Sequence, residues 1–378
     1  MVRPIMPLSY RLALLYGAFF LLVGVQLPYW PPFLAGRGLD AASIGLVLGA
    51  AQWAKVLVNP LTGALADRFG ARLLLMRVMG LGAVLFFLLL LRVDGFYALL
   101  FVNAGATAAA AALLPLGEAL TLGAAPRHRL DYGRIRLWGS ASFIFGAIVT
   151  GKLIGGQPTE FILLATIGAA VLLFLAACNL PHDTGAVAHR GKLQWRLLFG
   201  REPILLLTAA SLIQGSHSLY YGFATLHWHK AGYSDGVIGA LWGEGVLAEI
   251  GLFFIGTALI ARFGAKRLLI LAGAAGCLRW GLTSVVTELP VLALVQLLHA
   301  LTFGAAHLAA MHLLARSLPP GLASSGQSFY GAIVGGVAPG ILMGISGILY
   351  THWGAGAFAV MAVLAASGAV AAARLRAH

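Results

Sequence analysis

The chain has 378 residues, 60% of them hydrophobic and only 10% charged, with a formal net charge of +13 and a mean hydropathy of +0.91. Soluble domains carry roughly 25% charged residues, so a water-soluble domain of this size is excluded. Two cysteines, Cys178 and Cys277, lie inside apolar runs; they indicate no disulfide framework and are expected as small buried side chains.

A hydrocarbon core about 30 Å thick takes about 20 apolar residues per helix. Twelve such segments follow one another, at approximately 10–34, 41–65, 72–92, 95–122, 131–154, 160–180, 203–229, 236–261, 266–287, 290–315, 326–350 and 354–374. The first run is too long for a cleavable signal peptide and no small-residue cleavage pattern follows it. With the N-terminus in the cytoplasm, 19 of the 25 Lys and Arg fall on cytoplasmic segments or span ends. Arg37, Arg92, Lys152 and Lys230 fall outside, and Lys55 and Arg279 lie within spans. That asymmetry is the positive-inside pattern. The basic balance therefore sets topology and meets anionic lipid rather than nucleic acid, with both termini cytoplasmic and the protein in the inner membrane.

The first span ends in Leu27-Pro-Tyr-Trp-Pro-Pro-Phe33, where three prolines are expected to close it and Tyr29 and Trp30 to sit at the outer interface. Asp40 before the second span, and Ser234 or Asp235 before the eighth, are expected N-caps. Gly63–Leu75 then reads GALADRFGARLLL, and a near-copy, TALIARFGAKRLL, starts at Thr257. The offset of 194 residues carries Arg68 onto Arg262, Gly70 onto Gly264 and Arg72 onto Lys266. Upstream it carries Gly45 onto Gly239, Gly49 onto Gly243 and Lys55 onto Glu249. This is an internal duplication of half the chain. Gly45/Gly49 and Gly239/Gly243, like Gly336, Gly340 and Gly344, are small-xxx-small sets that let helices approach closely.

Gly63-x-Leu65-Ala66-Asp67-Arg68-x-Gly70-x-Arg72 resembles the loop 2–3 signature of the major facilitator superfamily. The resemblance implies an all-α membrane protein of twelve transmembrane helices in two pseudosymmetric six-helix bundles that rock around a midplane site. The bundles are placed at 1–181 and 202–378, joined by a cytoplasmic linker, 182–201. Asp67, Arg68, Gly70, Arg72 and Arg262 form the expected gating loops. Since Ala261 stands in the copy where Asp67 stands in the first half, the acidic latch is expected in the first half alone. Tyr132-Gly-Arg-Ile-Arg-Leu-Trp-Gly-Ser140, with Leu27-Pro-Tyr-Trp30 and Thr302-Phe-Gly-x-x-His307-x-Ala-Ala-Met311, narrows the resemblance. It is similar to the phenylpropionate-permease branch, near the sugar and nucleoside proton symporters.

Ionisable groups inside spans mark pathways, because a charge in hydrocarbon is costly. Lys55, Glu118, Glu244, Glu249, Arg279, His299, His307 and His312 are the candidates. Glu249 lies about twelve residues inside the eighth span, about 18 Å from either end at about 1.5 Å per residue. Its repeat equivalent, Lys55, puts the opposite charge at the same depth, as a substrate site or a structural pair. Arg279 needs an anionic partner, and Glu249 and Glu244 are the nearest acids. Those two are about 140° apart on the helix, so one of them packs, and Glu249 is the expected functional one. Displacing an Arg from its carboxylate favours protonation, a means of proton coupling; a permanent brace is the alternative. His299 and His307, about 80° apart, suit proton relay or substrate hydrogen bonding. This helix 8, 9 and 10 set resembles, by placement only, the coupling residues of the lactose-permease branch. Glu118 is expected to pair with Arg134 or Arg136 near a cytoplasmic gate. Gln26, Tyr29, Trp53, Tyr220, Tyr221 and Tyr330 are possible cavity lining, and each alone also reads as packing.

Gly232-Tyr-Ser234-Asp-Gly236 matches a hydrolase G-x-S-x-G pattern, which needs a strand before it and an exposed turn; an outer loop between membrane helices provides neither. No metal-ligand or P-loop motif is present, so neither cofactor nor ATP coupling is expected. The chain reads as a monomeric secondary transporter, not an enzyme. Its expected partners are a small organic solute, such as an aromatic carboxylate, and a proton taken up with it. The alternatives are a proton antiporter exporting apolar compounds and, further off, a non-transporting receptor or membrane enzyme.

Overall fold

The computed structural model describes residues 6–181, 199–318 and 323–376; most of the expected linker lies outside them. Among the described residues there are helices and turns and no strand. The first half consists of α1 (Leu8–Gly36), α2 (Ala41–Phe69), α3 (Arg72–Leu89), α4 (Phe96–His128), α5 (Tyr132–Ile154) and α6 (Glu160–Cys178). In the second half the seventh span is split into α7 (Arg201–Gly215) and α8 (Ser218–Lys230), followed by α9 (Asp235–Phe263) and α10 (Ala265–Thr283). The tenth span comprises α11 (Leu289–Leu297), a π-helical stretch (Ala300–Ala305) and α12 (Ala306–Ser317). The eleventh repeats that design with α13 (Ala323–Ala332), a π stretch (Ile333–Val337) and α14 (Ala338–Trp353), and α15 (Ala357–Ala373) is the twelfth.

Nine helices among the described residues are long and apolar enough to cross a membrane, and one of them, Gly326–Ala373, contains the eleventh and twelfth spans together. The seventh span misses the criterion because α7 and α8 are 15 and 13 residues long. The ninth, α10, carries Lys266, Arg267 and Arg279. A break and three charges, not a shortage of apolar residues, keep these two below that criterion.

Two compact units divide the chain, one of Met1–Leu39, Ala50–His189 and Ser234–Gly243, the other of Asp40–Gly49, Arg190–Tyr233 and Glu244–His378. Within the first, α1 packs along α5 and α6, and α3 along α4 and α6. Within the second, α15 packs along α7 and α10, and α10 along α12. The duplicated sequence thus gives the same neighbours twice: span 1 on 6 recurs as 7 on 12, and 3 on 6 as 9 on 12.

Two expectations for the first span are corrected. α1 runs through Pro28, Pro31 and Pro32 to Gly36, which a membrane helix tolerates when neighbours compensate for the lost hydrogen bonds. Tyr29 and Trp30 are 0% and 2% exposed rather than interfacial. The Tyr29 hydroxyl donates to the Ala147 carbonyl at 2.7 Å, and the Trp30 indole to Asn103 Oδ1 at 2.8 Å. Cys178 is exposed and Cys277 half-buried, since an apolar run in a membrane protein also supplies the lipid-facing surface. Asp40 caps α2 by accepting from the Ser43 amide at 2.8 Å, and the Ser43 hydroxyl and amide hold its carboxyl below the usual range.

The repeated loops turn on Gly70 and Gly264, with φ of +61° and +74°, a region that side-chain-bearing residues disfavour. Asp67 accepts from Arg72 at 2.8 Å, while Arg68 stacks on Phe69 and Arg262 on Phe263. Lys266, the counterpart of Arg72, instead donates to the Leu375 carbonyl. At the other end of α2, Gly45 lies against Gly347 of α14, where an added Cβ would come within 2.7 Å of the Gly347 Cα. A Cβ on Gly347 would come within 2.5 Å of the Ala41 carbonyl. Backbone faces backbone there, so neither side can yield.

Gly347→Ala is expected to cost about 1–3 kcal/mol by overpacking. Gly63→Ala, at a helical position with open space around it, should be neutral or stabilising by up to about 1 kcal/mol. Thermal unfolding of the two variants in detergent measures the difference.

Candidate substrate and proton site

The second unit buries a guanidinium. Arg279, near the C-terminal end of α10, is 0% exposed. Its Nη1 donates to His299 Nδ1 and to Thr302 Oγ1, each at 3.0 Å, and its Nη2 donates to Gln296 Oε1 at 2.9 Å. The rings of Tyr220 and Trp280 lie 4.7 and 4.4 Å from its Cζ, and cation–π attraction is strongest when desolvated. The buried Nε–H has no acceptor. Among the described residues no carboxylate forms an ion pair with Arg279; neutral oxygens, an imidazole nitrogen and two aromatic faces surround it.

Breaks in the helices place these partners. α7 stops at Gly215 and α8 begins at Ser218, and His217 in the gap is 0% exposed. Its Nδ1 lies 3.2 Å from both the Ile213 and Gln214 carbonyls, and its Nε2 lies 3.1 Å from Thr302 Oγ1. Two carbonyls at Nδ1 assign the proton there, so Nε2 accepts from the Thr302 hydroxyl, which in turn accepts from Arg279. The π stretch Ala300–Ala305 starts just after His299, and such bulges are frequent at functional sites. The Gln214 amide donates to the Phe303 carbonyl within it at 3.3 Å.

His299 joins this cluster to an acid. Its Nδ1 lone pair accepts from Arg279, so the ring proton is assigned to Nε2, which lies 3.6 Å from Glu249 Oε2. Phe303 stacks on the ring at 5.3 Å. The expected direct Arg279–glutamate pair is therefore corrected. Glu249 reaches Arg279 through His299, because the imidazole lies between α9 and α10. Glu244 is half-buried further up α9. Tyr220 is buried and donates to Gln296 Oε1 at 3.0 Å, and Tyr221 stacks on His217 at 5.8 Å.

A chain with this duplicated helical plan and this buried cluster can be compared with known proteins. A profile of the MFS_1 like family matches residues 9–360. The chain belongs to that family. A probable 3-phenylpropionic acid transporter of Escherichia coli (strain K12) is 35% identical over 359 residues, 94% of each chain. The maltose permease of Geobacillus stearothermophilus is 25% identical over 361 residues, covering 94% of this chain and 89% of that one. The solved structure of the nucleoside transporter NupG superposes with a TM-score of 0.84 at 18% identity over 98% of this chain and 99% of that one, which shows a shared fold. This MFS_1 like protein is a multi-pass membrane transporter of the major facilitator type and not an enzyme.

The other candidates of the MFS_1 like chain make none of these hydrogen bonds. His307 is exposed on α12, edge-on to the buried Tyr330 at 6.2 Å and within electrostatic reach of Glu249. Lys55, in the first unit, is half-buried and makes no hydrogen bond or ion pair among the described residues. Glu118 makes no direct ion pair with Arg134 or Arg136, although Arg136 is within electrostatic reach of it: Arg134 pairs with Asp131 at 3.3 Å, and Arg136 lies over the Phe20 ring at 4.1 Å. Gln26 is half-buried and Trp53 is 40% exposed. Tyr29 braces the backbone of α5 through the Ala147 carbonyl. His217 and Thr302 belong to the cluster although residue type alone did not single them out; for His217 the one available signal was a histidine beside a serine inside an apolar run.

Gln296→Leu removes the acceptor that Arg279 Nη2 shares with the Tyr220 hydroxyl and takes a partner from a buried guanidinium. A loss of about 1–3 kcal/mol is expected, read as a lowered unfolding temperature, whereas Gln296→Glu should retain the fold.

Proposed function

We propose that this protein imports a small aromatic carboxylate together with a proton, by alternating access, with Arg279 receiving the carboxylate. The observation that carries the reading is the fully buried guanidinium without a carboxylate ion pair. A buried charge needs a compensating one, and an Arg fork suits a carboxylate. The aromatic faces of Tyr220, Trp280 and Phe303 around it suit an aryl group. The 35% identical relative, described as a probable 3-phenylpropionic acid transporter, points to the same class.

Proton coupling follows from the single lone pair on His299 Nδ1. While Arg279 donates to it, that nitrogen cannot take a proton. A substrate carboxylate that accepts the Arg279 N–H groups releases Nδ1, which binds a proton, and the resulting imidazolium keeps its Nε2–H toward Glu249. The site gains one negative and one positive charge, so its net charge is unchanged in a medium where an uncompensated charge is expensive. Release reverses both steps: the proton leaves and Arg279 returns to His299. In this reading the bundles are 1–181 and 202–378, joined by 182–201, in a monomer of the inner membrane with both termini cytoplasmic. Lys55 offers a second cation for the first bundle.

In proteoliposomes, 3-phenylpropionate should make the outside medium more alkaline and its neutral amide should not. Arg279→Gln should reduce transport about 30-fold or more, the effect of losing at least about 2 kcal/mol from a buried charge contact. His299→Gln should still exchange labelled substrate but lose the pH change. Wild-type transport by Arg279→Gln would exclude the proposal.

A further inference from the structure

The end of the second unit where α9 turns into α10 carries a cavity of about 900 Å³ lined by Lys266, Arg267, His312 and Arg316, with no acid among its lining residues. Phe263 and Ile270 give it apolar wall. The first turn of α10 also opens onto it, and the leading amides of a helix lack intrahelical acceptors. Arg267 and Arg316 make no hydrogen bond or ion pair among the described residues, and both are exposed.

The duplication explains why this cavity is uncompensated. In the first half Arg72 is neutralised by Asp67 at 2.8 Å. In the second half the position of Asp67 is Ala261, which itself lines the cavity, and Lys266 turns away to the Leu375 carbonyl. One copy holds its anion internally; the other has the cations and room where the anion would be. We propose that this cavity binds the phosphate headgroup of an anionic phospholipid, with an acyl chain along the Phe263–Ile270 wall. Basic pockets between membrane helices on the cytoplasmic side suit such headgroups, and the apolar wall favours a lipid over free phosphate. The lipid would serve in the second half as Asp67 serves in the first. Of the reading above, the inference uses the orientation alone and not the substrate.

The test is thermal unfolding of the purified full-length protein with added phosphatidylglycerol, phosphatidylcholine or inorganic phosphate, together with native mass spectrometry of retained lipid. Phosphatidylglycerol should raise the unfolding temperature and remain bound, while phosphatidylcholine and inorganic phosphate do neither. Arg267→Gln/Arg316→Gln should lose both effects. Ala261→Asp, which supplies the first half's acid, should also lose them and, without lipid, unfold at or above the wild-type temperature, so the test survives if the double variant does not fold. Equal retention of phosphatidylglycerol by wild type and Ala261→Asp, or equal stabilisation by inorganic phosphate, would overturn the lipid assignment.

Discussion

A guanidinium that cannot lose its proton, placed in the interior of a membrane protein, constrains everything around it. Burying an unpaired charge costs several kcal/mol, and Arg279 meets that cost with Gln296, Thr302, His299 and the faces of Tyr220 and Trp280. Those partners come from three separate spans. To deliver them the seventh span breaks at Ser216–His217 and the tenth adopts a π stretch after His299. The irregular backbone thus accompanies the buried charge. It is also the reason that the seventh span does not count as a single membrane-crossing helix.

On the proposed reading, Arg279 is held by partners that a substrate can replace. A neutral imidazole is a weaker partner for a guanidinium than a carboxylate is, so an incoming anion can displace it, whereas a buried Arg–Glu pair would resist displacement. Interposing His299 between Arg279 and Glu249 keeps the acid close enough to stabilise an imidazolium without occupying the arginine. In the proposed cycle, substrate and proton compete for no common atom.

Much of this plan is legible in the sequence. The twelve apolar runs, the repeat offset seen in GALADRFGARLLL and TALIARFGAKRLL, and the replacement of Asp67 by Ala261 are one-dimensional features with local physical causes, and helices and loops follow them. Arg279, Glu249 and His299 stand out because a charge or an imidazole within hydrocarbon needs a reason. The pairing among them is not legible, since which residue lies between α9 and α10 depends on helix rotation, and here it is the histidine. His217 and Thr302 are hidden for a different reason: both are ordinary components of membrane helices until a break or a π stretch turns them inward. Tyr29 and Trp30 mislead in the opposite direction, because an aromatic pair near a span end has the same composition whether it faces the interface or braces α5 and α4.

The protonation state of His299 decides whether substrate and proton binding are coupled at Arg279. Nitrogen-15 NMR of histidine-labelled protein in lipid, with the His299→Gln variant to identify the signal, reports which ring nitrogens carry protons. A neutral ring with its proton on Nε2 is expected in the free protein, and an imidazolium when 3-phenylpropionate saturates the site. The same neutral tautomer with and without saturating substrate would rule out the coupling.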